Sequence, residues 1–111
     1  MVAKQNRLTK KKDFEEVFKK GKTHKHGFLL FKTMKNKQEE SRFGFVVSKK
    51  VSKKATDRNM VKRRLRSAVA KALQQKRLKS SQDVVILTLP EANQKNFSVI
   101  QEVISEFFKK N

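Results

Sequence analysis

The chain has 111 residues, which suits one domain with a modest core. It carries 29 Lys and Arg against 10 Asp and Glu, and that formal charge of +19 calls for a polyanionic partner, nucleic acid first and an anionic membrane surface second. The lack of Cys excludes a disulfide framework and a thiolate metal site, and no apolar run approaches the ~20 residues of a membrane-spanning helix.

The opening "MVAKQNRLTKKK" has no apolar segment of the secretory kind, so a cytoplasmic protein is expected. Residues 1–8 read as a short basic arm ahead of a single domain over 9–111. "LTKKKDFEEVFKKGK" predicts a helix over 10–20, capped by Thr9, with Phe14, Val17 and Phe18 on one apolar face. Gly21 is expected to end it in a left-handed conformation. "GFLLFKTMKN" (27–36) and "SRFGFVVSKK" (41–50) predict two strands joined as a hairpin through the polar "KNKQEES". In the second strand Phe43, Phe45 and Val47 share one face, with Gly44, Val46 and Ser48 on the other.

"ATDRNMVKRRLRSAVAKALQQKR" (55–77) carries the strongest helical pattern, with Thr56 or Asp57 as its cap. "DVVILTLP" (83–90) reads as a buried central strand stopped by Pro90. "NFSVIQEVISEFFKK" (96–110) predicts a closing helix with Phe97, Ile100, Ile104, Phe107 and Phe108 on one side and a Ser98–Gln101 capping box. The order predicts an α+β sandwich of helices on a small sheet.

Charge is concentrated early. Residues 1–79 hold 26 bases and six acids, and residues 80–111 hold three bases and four acids. Nine Lys or Arg fall between Lys49 and Arg66, with Asp57 the one acid among them. At about 100° per residue, Val61, Leu65, Ala68, Val69, Ala72 and Leu73 gather into a stripe that docks on a sheet. Asn59, Lys62, Arg63 and Arg66 form a second, exposed stripe. Arg64 lies on the opposite flank near Met60, Ser67 and Lys71, and Arg58 falls near the apolar edge, placed to reach the sheet. A solvated surface helix is the ordinary reading of such a run, but no Glu stands between residues 58 and 90 to pair with it. Four Arg within 58–66 suit bidentate contacts to phosphate. A membrane surface needs exposed apolar residues beside the cations, and here those residues are taken by the core. Nucleic acid is favoured.

"FGFVVSKKVSKKATDRNMVKRRLRSA" resembles the signature region of the protein subunit of bacterial ribonuclease P. In that family a strand ending Ser-Lys-Lys leads into a helix opening Arg-Asn-x-x-Lys-Arg-x-x-Arg. Those positions are Ser48, Lys49, Lys50, Arg58, Asn59, Lys62, Arg63 and Arg66 here. Phe14 and Phe18 match the family's Phe-x-x-x-Phe, and "FLLF" and "DVVILTLP" match its first and last strands. Met60 stands in the third place of the usual Arg-Asn-Arg, Ser67 replaces an acid and Ser52 the crossover Gly. Arg64 is expected to supply the cation missing beside Met60, so that Arg64→Ala weakens assembly with RNA.

The resemblance implies an α+β fold with a small, mainly antiparallel sheet, three helices and a left-handed βαβ crossover, as in one ribosomal protein domain. It implies a ribonucleoprotein endonuclease that removes the 5′ leader of precursor tRNA, with ribonuclease P RNA and precursor tRNA as partners and no obligate protein partner. Arg58, Asn59, Lys62, Arg63, Arg64, Arg66, Lys53 and Lys54 are assigned to the catalytic RNA. Phe14, Phe18, Phe31, Lys49, Lys50 and Arg58 are assigned to the leader, since rings stack on unpaired bases with little sequence preference. The alternative for those Phe is the hydrophobic core.

No catalytic or metal-binding residue is assigned. Asp13, Glu15 and Glu16 sit among Lys, Glu39 and Glu40 in a polar turn, and His24 and His26 lack a third ligand in the nearby sequence. The resemblance places the active site and its Mg²⁺ mainly in the RNA subunit. Competing readings are a structural rRNA-binding ribosomal protein, which needs no aromatic cleft, and a DNA-binding module, which needs helix-turn-helix spacing or a dimer.

Overall fold

The computed structural model describes residues 2–75 and 78–111. Helix α1 (Lys11–Lys20) is short and polar and buries Val17. Lys10, in extended conformation, precedes it without a side-chain cap, so the expected Thr9 cap does not form. Gly21 ends the helix with φ −76° and ψ 158°, not in a left-handed turn. Glycine is needed there for room, because a Cβ would strike the carbonyl oxygens of Val17 and Thr33.

The chain enters β1 (Lys22–His26), a strand of Lys, Thr and His with no apolar alternation to announce it. Backbone pairing to β2 (Leu29–Lys35) holds it. The two-residue turn between them carries Gly27 at φ +58°, a conformation that suits glycine at the first turn position.

β3 (Arg42–Val46) does not pair with β2, and the expected hairpin is therefore a correction. β4 (Gln82–Thr88) lies between them, antiparallel to β2 and parallel to β3, in the order β1-β2-β4-β3. Val84, Val85 and Ile86 are buried toward both faces, so the most continuously apolar strand takes the position with two neighbours. The polar loop after β2 passes over the start of β4, where Ser81 donates to the Glu39 carbonyl and the Gln82 amide donates to Ser41 Oγ, both at 3.0 Å.

Helix α2 (Ala55–Gln75) joins β3 to β4 and buries Val61, Leu65, Ala68, Val69 and Ala72, the stripe that the periodicity predicts. Lys76 and Arg77, also expected in this helix, lie outside the described residues. The helix begins at Ala55, which leaves Thr56 and Asp57 within its first turn. Helix α3 (Phe97–Lys110) follows a 3-10 turn at Pro90–Gln94. Its cap is Asn96, whose side-chain oxygen accepts from the Val99 amide at 3.0 Å, in place of the expected Ser98–Gln101 box.

The two faces of the sheet are covered unequally. Leu29, Phe31, Phe43, Val84 and Ile86 face α2 and α3 in the main core, where Phe31 stacks on Phe107 with 4.1 Å between centroids and 4° between planes. The other face carries α1 and part of the N-terminal segment, with Val17, Val85 and Leu8 in one small cluster. Arg42 fixes the start of α1. It forms a bidentate pair with buried Asp83 (2.9 and 2.7 Å) and reaches Asp13 at 3.4 Å.

The expected N-terminal arm is docked along β3. The Leu8 amide donates to the Phe43 carbonyl (2.9 Å), Asn6 donates to the Ser41 carbonyl (2.8 Å), and Val2 and Leu8 are buried. This segment covers an otherwise free sheet edge.

Candidate nucleic-acid interface

Strand register defines what α1 leaves open. On its face of the sheet, Met34–Asp83–Arg42, Lys32–Val85–Gly44 and Leu30–Leu87–Val46 form three successive rows across β2, β4 and β3. The helix crosses the first two. The Phe14 ring lies over Gly44, where any Cβ would strike it, and Val17 packs on Val85. The third row is half-buried and extends the apolar surface beyond these contacts.

Cations surround this floor. Lys32 Nζ sits 5.8 Å from the centre of the Phe18 ring, which is 38% exposed at the rim of α1. Lys25 pairs with Leu30 from β1 and is exposed. At the other side, Ser48, Lys49 and Lys50 leave the end of β3 and are exposed. The result is an apolar trough with one aromatic wall and positive edges.

A cavity of about 410 Å³ opens where the N-terminal segment, α1, β3 and α2 meet. Phe14, Phe43 and Phe45 line it with Val2, Leu8, Thr9 and Gly44, and the Arg7 and Arg66 side chains reach it. Half-buried Phe14 therefore has one surface on Gly44 and contributes to this cavity.

Phe31 requires a correction. It is fully buried and lies on the α3 side of the sheet, sealed by Phe107, so it is absent from the trough. Strand alternation allows either Phe31 or Leu30 to face α1, and only the packing of α3 decides between them. Leu30, Val46, Leu87, Lys25 and Lys32 take part in the trough although sequence reasoning missed them. The available signal was the alternate position to Phe31.

Helix α2 presents Asn59, Arg63 and Arg66 as exposed groups with Lys62 half-buried, the stripe that the helical period gives. Two of its arginines have internal partners. Arg58 does not reach the sheet; its Nη1 donates to the Ser52 and Lys53 carbonyls, each at 2.9 Å. Arg64 donates to the Lys95 carbonyl at 2.9 Å and to the Met60 sulfur at 3.1 Å, which ties α2 to the segment ahead of α3. Lys49, Lys50, Lys53 and Lys54 are all exposed on the crossover.

Among the described residues no three His, Cys, Asp or Glu side chains converge. His24 and His26 pack edge-on against Phe107 with centroids 6.3 and 6.0 Å away, and His26 also meets Phe31 at 5.4 Å. Burial holds the His26 pKa below its ordinary value and Lys110 adds to this, while Glu106 acts in the opposite sense.

Comparison with known proteins identifies the family. The family model described as Ribonuclease P matches residues 2–111. The Ribonuclease P protein component of Synechocystis sp. is 39% identical over 92% of this chain and 82% of its own length. That of Bacillus velezensis is 37% identical over 98% and 91%. Among solved structures, the RNase P protein of Thermotoga maritima superposes with a TM-score of 0.82 at 27% identity, covering 95% of this chain and 96% of its own. The Staphylococcus aureus RNase P protein gives 0.80 at 26%, covering 95% and 93%.

Proposed function

The chain belongs to the ribonuclease P protein family, and from that premise we propose that it grips the unpaired 5′ leader of precursor tRNA and the catalytic RNA of ribonuclease P. The observation that carries this reading is the half-open trough beside α1, with its Leu30–Leu87–Val46 floor, its Phe18 wall and its lysine edges. An apolar floor and a ring accept any base by its flat face, with stacking worth ~1–3 kcal/mol per base. Lysines at the edges meet phosphates without reading sequence. A strand of varied sequence fits such a surface.

The polar stripe of Asn59, Lys62, Arg63 and Arg66 faces the catalytic RNA in this reading, and Arg64 ties the helix that presents it to the segment ahead of α3. Precursor tRNA carries a leader and mature tRNA does not, so contacts in the trough favour substrate over product. Phosphodiester hydrolysis needs charge stabilisation at the attacking and leaving oxygens, which bound Mg²⁺ supplies. Among the described residues no ligand set for it gathers, and the reading assigns the metal to the RNA subunit. The protein would then act in the cytoplasm by binding, and by neutralising phosphates that Mg²⁺ must otherwise screen.

Reconstitution tests this. Purified protein added to ribonuclease P RNA at low Mg²⁺ is expected to restore cleavage of a precursor tRNA that the RNA alone cuts slowly. Cleavage unchanged by the protein would overturn the proposal.

A further inference from the structure

Helix α1 forms one wall of the trough, yet few contacts fix its rotation. Val17 is its buried side chain, no side chain caps its start, and the Phe14 ring rests over Gly44. Apolar contacts carry no direction, so a short helix held by them alone can roll on the sheet. At about 100° per residue, Asp13, Val17, Phe14 and Phe18 follow one another around about 140° of the helix. Asp13 and Phe18 thus mark opposite edges of the arc that meets the sheet.

The Asp13 edge is tied down by directional bonds. Arg42 Nη1 donates to Asp13 Oδ2 at 3.4 Å, while its Nε and Nη2 donate to the two Asp83 oxygens at 2.9 and 2.7 Å. Asn36 Nδ2 donates to Asp83 Oδ1 at 2.8 Å and to the Glu40 carbonyl at 3.3 Å. The buried Asp83 carboxylate is thereby held from β3 and from the loop after β2. The guanidinium plane is set by the sheet, and its remaining arm meets the first turn of the helix.

We infer that Arg42 is a positioning residue for leader binding: fixed to β4 by Asp83, it holds α1 through Asp13 in the rotation that sets Phe18 at the trough wall. The inference rests on the leader-binding reading above. Arg42 and Asp83 touch no RNA in it; they act through the ring at the far edge of the arc. A ring held in place before a base arrives loses less entropy on stacking than one carried by a rolling helix.

Substituting Arg42 would leave the Asp83 carboxylate buried without its partner and confound binding with folding. The test therefore uses Asp13→Ala in the holoenzyme reconstituted with ribonuclease P RNA, with affinities measured for precursor and mature tRNA. Two accounts of Asp13 predict opposite signs. An acid that acts only by its charge repels phosphate, so its removal would tighten both tRNAs. The positioning role predicts that precursor binding weakens by about fivefold, the low end of one stacked base, with mature tRNA unchanged. Precursor binding that is unchanged or tighter overturns the inference. Asp13→Glu keeps the carboxylate and should retain most of the preference for precursor; a loss as large as that of Asp13→Ala would remove the ion pair as its cause.

A double-mutant cycle separates positioning from a general loss of stability. In the Phe18→Ala background, Asp13→Ala should weaken precursor binding little further, because the ring it positions is gone. Additive losses would show that Asp13 does not act through Phe18 and overturn the positioning role. Wild-type protein that fails to prefer precursor over mature tRNA would instead refute the leader-binding reading itself. Wild-type preference that survives Asp13→Ala in full refutes only the role of Arg42.

Discussion

Phe31 and Phe107 lie parallel at 4.1 Å with no solvent on Phe31, so Phe31→Ala should cost about 3–5 kcal/mol of folding stability through lost burial and a cavity. Phe18 is 38% exposed and touches Lys32, so Phe18→Ala should cost at most ~1 kcal/mol. Function should divide the opposite way. Phe18→Ala should reduce the preference for precursor over mature tRNA by ~1–3 kcal/mol, the worth of one stacked base. Urea unfolding and paired tRNA-binding measurements check both halves, and equal loss for the two tRNAs would remove the stacking role. His26 gives a pH signature. Burial lowers its pKa, so between the folded value and about 6.5 the unfolded chain binds more protons. Stability should therefore fall as pH drops through that window and level off once folded His26 is protonated. His26→Gln should flatten this step in thermal unfolding; an unaltered pH profile would show that other groups cause it.

At the scale of elements, local signals placed helices well and strand partners poorly. The stripe on α2 follows from a period that each turn enforces by itself, so both its buried and its charged face were legible. Caps were less so, because several Ser, Thr and Asn near each helix start satisfy the same rule. Asn96 accepts the bond at the start of α3, so Asn96→Ala should cost ~0.5–2 kcal/mol while Ser98→Ala leaves stability nearly unchanged. Thermal unfolding of the two variants decides it, and the reverse ranking would return the cap to Ser98. β1 escaped detection because its pairing with β2 is made by the backbone, which no side-chain pattern records. The connection after β2 is polar enough for a hairpin, yet β4 arrives later in the chain and takes the place beside β2.

For the whole molecule, +19 charges on 111 residues repel one another in the folded state. Added salt screens that repulsion, with a Debye length of ~10 Å at 0.1 M and ~3 Å at 1 M. The unfolding midpoint should rise from low to moderate salt, while affinity for RNA falls over the same range as counterion release is lost. Thermal scans and RNA titrations across one salt series test these opposed trends; a midpoint that falls with salt would mean that attractive surface pairs dominate. Arg42 and Asp83 should respond little, since buried pairs are screened less.

The sequence by itself determined the sign and density of charge, the helix that carries it in register, the central position of the Val84–Ile86 run and the resemblance that names the family. These are local properties, fixed by residue type and a period of two or 3.6. Tertiary structure alone decided which face of the sheet α1 leaves open, which of Leu30 and Phe31 meets the trough, and that Arg58 and Arg64 hold backbone carbonyls. An alternating strand has two equivalent ways to face, and a guanidinium reaches any acceptor within its length. Only the packing of distant segments removes that freedom.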